Sequence, residues 1–211
     1  MERIIVHWSA GTHTVSALDR QHYHLIIDDD GDVHTGVHPV TANRGPLLPG
    51  AYAAHTLNCN TGSIGVALAA MAGAVERPFN AGRHPITPTQ VDALAALCAS
   101  LCRTYDIPVS RRTVLTHAEV QPTLGIVQRG KWDVTWLPGM AAPGAPVAVG
   151  DMIRARVVAE MAPRPAPIAP SPLPPWPIPP SPIAPSLLPT LTLETLAARV
   201  SALEAAIKQG A

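Results

Sequence analysis

The sequence has no excess of charge of either sign: lysine plus arginine and aspartate plus glutamate each number 15 among 211 residues. Such a balance gives no global field to draw the chain to nucleic acid or to an anionic membrane surface, so no nucleic-acid partner is expected and any partner must be recognised locally. Long hydrophobic runs are also missing. Without about 18 consecutive apolar residues a membrane-spanning helix, and with it stable membrane insertion, is not expected. Cysteine is scarce, and Cys59, Cys98 and Cys102 form neither an even set nor a CxxC pair, which speaks against a disulfide framework. Met1 to Val6 holds no apolar segment of secretory length and runs straight into the strand-like Arg3-Ile4-Ile5-Val6. Synthesis in a reducing cytoplasm without a signal peptide is the expectation.

What is present divides the chain. Ile4–His7 and His24–Ile27 are short apolar, β-branched runs that read as buried strands. Asp28-Asp29-Asp30-Gly31-Asp32 offers an Asp-Gly turn between Leu25-Ile26-Ile27 and Val33-His34-Thr35, a hairpin signal. Ser63–Ala69 is apolar enough for strand or helix, and its shortness and flanking glycines favour a central strand. Thr87-Pro88 followed by Val91, Leu94, Leu97, Cys98, Leu101 and Tyr105 predicts an amphipathic helix with Thr87 as N-cap and Pro88 at the first turn. Thr113–Thr116 reads as a strand that delivers His117 at its end. Strands alternating with helices point to an α/β class with a mixed central β-sheet flanked by helices.

Residues 1–161 are expected to form this globular domain. Residues 162–189 follow as a proline-rich linker, because 13 of the residues from Pro163 to Pro189 are proline and neither helix nor central strand can form there. In polyproline II geometry, at about 3.1 Å per residue, such a spacer reaches up to roughly 80 Å. Residues 190–211 place Leu193, Leu196, Val200, Leu203 and Ile207 at the 3-4-3-4 spacing of a short coiled-coil helix, with Arg199 and Glu204 able to pair between chains. Two heptads leave two readings open: a homo-oligomer through this helix, or a helix that docks on its own domain.

For chemistry, His7 ends the first strand, His117 ends a later one, and Asp133 follows in Arg129-Gly130-Lys131-Trp132-Asp133. Two imidazoles and a carboxylate with an open fourth position suit a catalytic zinc, although nine histidines offer many other triples by count alone. The surrounding words narrow the choice. Val6-His7-Trp8-Ser9-Ala10-Gly11, then His22-Tyr23-His24-Leu25-Ile26-Ile27 with Asp30-Gly31 and Gly36, then Asn60-Thr61-Gly62-Ser63-Ile64-Gly65-Val66, then Thr116-His117-Ala118-Glu119-Val120 occur in this order. Across residues 3 to 140 or so the chain thereby resembles the type-2 N-acetylmuramoyl-L-alanine amidases. That family spans phage endolysins, wall-recycling amidases and animal peptidoglycan recognition proteins.

The resemblance implies hydrolysis of the amide between N-acetylmuramic acid and L-alanine in peptidoglycan, with Zn2+ as cofactor. It makes His7, His117 and Asp133 the metal ligands, the last in a Lys-x-Asp arrangement. It also makes Lys131 the cation that stabilises the oxyanion and Tyr23 the hydroxyl that orients water or substrate. Zinc would generate a nucleophile at neutral pH and polarise the carbonyl, and positive charge is needed where the oxyanion develops. His55 is expected along the substrate cleft, and Trp132 and Trp136 either stack on substrate or pack in the core. Glu119 either steadies the neighbouring ligand or caps a turn.

Two departures from the family stand out. Ala67 occupies a position where some relatives carry a glutamate, so the general base is unassigned between Tyr23, the activated water and another residue. Gln121–Gln128 lengthens the path from His117 to Asp133 and is expected to be a loop. The resemblance further implies an endolysin that acts on the cell wall after a separate protein has permeabilised the membrane. The alternatives are a peptidoglycan-binding protein without catalysis and an oligomeric lysin of a phage-like particle.

Overall fold

The computed structural model describes residues 1–162. The proline-rich linker and the terminal helix expected from the sequence lie outside the described residues.

Five strands make one mixed sheet: β1 (Arg3–Trp8), β2 (Leu25–Ile27), β3 (Val33–Thr35), β4 (Ser63–Leu68) and β5 (Val114–Thr116), in the spatial order β3-β2-β4-β1-β5. β1 runs parallel to both β4 and β5, β2 runs parallel to β4, and β2 and β3 form the antiparallel hairpin expected around Gly31. Gly31 takes φ +88° there, which an L side chain rarely adopts. β4 is buried along its whole length, as a parallel strand covered on both faces must be, and this is why it reads as an unbroken apolar run.

Alternation along the strands separates two faces. Ile4, Val6 and Trp8 of β1 join Ile64, Val66 and Leu68 of β4 in the main core. Against them pack helix α2 (Pro88–Tyr105) and helix α4 (Pro146–Met161), through Val91, Leu94, Cys98, Val149, Ile153 and Val157. Each such fully buried aliphatic side chain contributes about 1.5–3 kcal/mol. α2 begins as the sequence predicts: Thr87 accepts from the Gln90 amide, the Gln90 side chain accepts from the Thr87 amide, and Pro88 opens the first turn. The buried Gln90 amide also donates to the carbonyls of Ile27 and Ala69, tying the helix to the sheet at 3.0 and 3.1 Å.

The opposite face carries Ile5 and His7 from β1 and the small residues Gly65 and Ala67 from β4. It is covered by helix α3 (His117–Leu124), whose Val120 packs on Ile5 and Cys59, and by the His55 ring over Gly65 and Tyr23 over Ala67. The expected loop over Gln121–Gln128 is corrected in part: Gln121 to Leu124 are helical, and the chain leaves the helix at Gly125 with φ +76°. A capping box between Thr116 and Glu119 starts this helix strongly enough to carry it through Pro122, which forgoes one backbone bond. Two helices gave no clear sequence signal. α1 (Ala17–His22) has only six residues, and α4 interrupts its apolar spacing with Gly150 and Arg154.

Candidate active site

Strand register brings the two candidate histidines together. Val6 pairs with Thr116 across β1 and β5, so the residues that follow, His7 and His117, leave the sheet side by side with ring centroids 4.6 Å apart. His117 is also the first residue of α3, and Glu119 fixes that junction by accepting the Thr116 amide at 2.8 Å. Asp133 arrives from the loop beyond α3, its carbonyl accepting from the Ala118 amide at 3.3 Å. Directly after it the β-branched Val134 sits at φ +61°, a strained conformation held by complete burial.

Asp133 Oδ2 lies 2.9 Å from His117 Nδ1 and 3.4 Å from His7 Nδ1. One ligand atom from each of the three buried residues falls within 4.8 Å of the others, and this is the one such group among the described residues. Burial pushes the His7 pKa down to about 4, against the opposing pull of Asp133, so its ring is neutral. Burial alone would raise Asp133, but the imidazoles of His117 and His7 beside it outweigh this and hold the carboxyl well below the usual range. His7 therefore presents a neutral nitrogen donor and Asp133 an ionised oxygen donor, protonation states that suit a divalent ion.

The outer nitrogens have their own partners. His7 Nε2 meets Thr56 Oγ1 at 3.3 Å and His55 Nδ1 at 3.2 Å, while His117 Nε2 meets Gln128 Oε1 at 2.9 Å. With its N–H at Nε2, His7 turns a bare Nδ1 lone pair toward the Asp133 carboxylate, and that buried nitrogen has no hydrogen-bond partner. Lone pair against carboxylate is repulsive unless a cation lies between them. An N2O set of this kind fits zinc with an open position.

His55 is placed by two asparagines, the buried Asn43 and the half-buried Asn60. The Asn60 side chain accepts the amides of His55 and Thr56 at 3.0 and 2.9 Å, and Asn43 holds Ala53 through both ends of its amide. The His55 ring lies on Gly65, where a Cβ would come within 2.6 Å of it. Tyr23 stands 5.1 Å from the His7 ring and packs on Ile26, Ala67 and Ala69. Burial, and then the carboxylates Asp133 and Asp19, raise the Tyr23 pKa, so the phenol keeps its proton. Ala67 is fully buried beneath it.

Next to this cluster opens a cleft of about 470 Å³, lined by His55, Leu57, His117, Gln128, Arg129 and Lys131 among others. Lys131 is exposed at its rim. Trp132 is not at this cleft, contrary to the expectation of substrate contact. It is half-buried against the core, and its ring meets Trp8 edge-on at 4.6 Å. Trp136 is likewise a core residue, with its Nε1 donating to the Met140 carbonyl at 2.7 Å.

Gln128 gave no readable signal in sequence, whereas Glu119, expected either to steady the neighbouring ligand or to cap a turn, caps the start of α3. Gln128 lies in an irregular segment, where no periodicity marks a buried partner. Glu119 is fully buried and pairs with Arg154 of α4 at 2.8 and 3.1 Å, a contact between segments 35 residues apart.

The sequence profile of the N-acetylmuramoyl-L-alanine amidase family matches residues 1–139. No curated protein matches the chain. Among solved structures, the N-acetylmuramoyl-L-alanine amidase LysC from Clostridium intestinale URNW is 18% identical, with 74% of this chain and 85% of that one covered at a TM-score of 0.45. The Ph2119 endolysin from the Thermus scotoductus MAT2119 bacteriophage Ph2119 is 15% identical, with 74% and 84% covered at 0.42. The Staphylococcus aureus hydrolase AmiA, solved in complex with its ligand, is 15% identical, with 76% and 74% covered at 0.46.

Proposed function

This chain belongs to the N-acetylmuramoyl-L-alanine amidase family and is an amidase of peptidoglycan, and from that premise we propose that it is zinc-dependent, with His7, His117 and Asp133 as the ligands. The observation that carries the reading is the buried convergence of these side chains, with an unpartnered His7 Nδ1 aimed at an ionised carboxylate. Bound there, zinc would supply an activated nucleophile and polarise the lactyl carbonyl of muramic acid.

The protein's own groups do the rest. Lys131, at the rim of the cleft beside His117, places a positive charge where the oxyanion of the tetrahedral intermediate develops. Tyr23 remains protonated at neutral pH and therefore acts as a donor that orients water or substrate, rather than as a base. His55 and Thr56 hold the outer edge of His7. With Ala67 in the strand, the proton of the attacking water is not taken by a residue at that position.

The proposal extends to an endolysin-type role, in which the protein reaches the wall after release from the cell. It also divides the chain into a catalytic domain over 1–161, a linker over 162–189 and a helix over 190–211 that pairs with a second copy. Sedimentation of the full chain beside a version ending near residue 163 checks the pairing, and equal monomer masses would remove it. For the activity, purified peptidoglycan is digested and the products are weighed by mass spectrometry. Free L-alanine amino termini should appear, vanish with a chelator and return with zinc; undiminished release by His7→Ala or His117→Ala would refute the ligand assignment.

A further inference from the structure

The residue that ties the metal ligands to the walls of the cleft is Gln128. It is almost fully buried, at 3% exposure, although it belongs to no helix or strand. Its Oε1 faces His117 Nε2 at 2.9 Å. Its Nε2 donates to the Leu57 carbonyl at 2.9 Å, across the cleft, and to the Ile126 carbonyl at 3.4 Å. Its backbone amide is taken by Gln121 Oε1 at 2.9 Å, and its own carbonyl accepts from the Lys131 amide at 3.3 Å.

These partners fix the direction of the side chain. Two carbonyls can be satisfied only by the NH2 end, so the oxygen must point to His117. An acceptor at that position requires the imidazole proton on Nε2 and leaves Nδ1 as the bare donor toward Asp133 and His7. Through the Leu57 and Lys131 contacts, the same residue fixes one cleft wall and the turn that carries the cation.

We infer that Gln128 is a positioning residue, one that sets the tautomer and orientation of His117 for metal binding and couples the ligand to the substrate cleft. The inference rests on the zinc reading above, and it concerns a residue outside the ligand set. Groups that orient an imidazole ligand from behind are worth about 10–100-fold in metal affinity.

The test measures zinc affinity by competition with a chelator for the full chain and for Gln128→Leu, Gln128→Ala and Gln128→Glu. Leucine and alanine should each weaken binding about 10–100-fold. Glutamate keeps an acceptor toward His117 but loses the NH2 that serves the Leu57 and Ile126 carbonyls, so it should recover affinity only in part. In the zinc-loaded protein the His117 Nε2–H resonance should exchange slowly with water in the wild type and in Gln128→Glu, and rapidly in the leucine and alanine variants. Wild-type affinity in a folded Gln128→Leu or Gln128→Ala would overturn the inference, and so would a His117 Nε2–H that exchanges as slowly in these variants as in the wild type. No wall substrate enters the measurement. A chain whose zinc affinity depends on Gln128 yet leaves peptidoglycan intact would sink the proposed function alone, whereas an active amidase indifferent to Gln128 would sink this inference alone.

Discussion

Mild acid should unfold the metal-free protein, and the cause is a set of histidines buried in the neutral form. Burial pushes His7 and His24 from the ordinary value of 6.5 down to about 4 each. A folded-state pKa lower than the unfolded one means that the unfolded chain binds protons first, so stability is fully present above about 6.5 and is lost as pH falls toward about 4. At about 1.4 kcal/mol per pKa unit the loss is about 3 kcal/mol for each ring. His55, also driven down by burial, adds in the same direction. A domain with a total stability of about 5–15 kcal/mol cannot absorb much of this. Asp133, held below its ordinary range, loses its contribution only under the same window, whereas Glu119, raised by burial, opposes the trend weakly.

The assay is urea unfolding of chelator-treated protein at several pH values between about 7 and about 4. His24→Gln isolates one share, because its amide oxygen can still accept the Gly65 N–H that His24 Nδ1 now accepts at 2.9 Å. The variant should lose about 3 kcal/mol less than the wild type over the window. A wild-type midpoint that stays flat from pH 7 to pH 4, or a variant with the same slope as the wild type, would refute the reasoning.

Other perturbations test separate parts of the structure. Arg154→Leu leaves Glu119 charged and fully buried with only the Thr116 amide as partner, and should destabilise by about 3–5 kcal/mol in denaturant titration; combining it with Glu119→Gln should recover much of that. Gly65→Ala puts a methyl group 2.6 Å from the His55 ring and should cost about 1–3 kcal/mol while displacing His55 from His7 in nuclear magnetic resonance spectra. Lys131→Ala should lower kcat about 10²–10³-fold with little change in KM, as expected for a charge that matters only in the transition state. A loss confined to KM would instead place Lys131 in substrate binding.

Strand and helix patterns were legible wherever one periodicity ran undisturbed. β1, β2, β3, β4, β5 and α2 stand where alternation, the Asp-Gly turn and the Thr87-Pro88 start put them. α4 was hidden because its inner face holds Gly150 and Arg154. The first leaves no room for a Cβ against the Glu119 carboxylate, and the second is buried only because it is paired with that carboxylate. Neither choice follows from local pattern. The convergence of His7, His117 and Asp133 was approached through ordered motifs, since nothing local links a residue in the first strand to one more than a hundred positions later. Trp132 was misplaced because large aromatics serve rims and cores equally well in sequence, and only its packing on Trp8 decides between them. Gln128 was read as part of a loop, and its role emerges only when Leu57 and His117 are both beside it.

The register that joins β1 to both its neighbours has a consequence for how the enzyme comes into being. Ile4 pairs with Ile64 on one side and with Val114 on the other, so β1 finds neither partner until later stretches of chain have been made. Contacts so distant in sequence slow folding. Asp133 comes later still, so the proposed metal centre cannot assemble until synthesis has passed that residue.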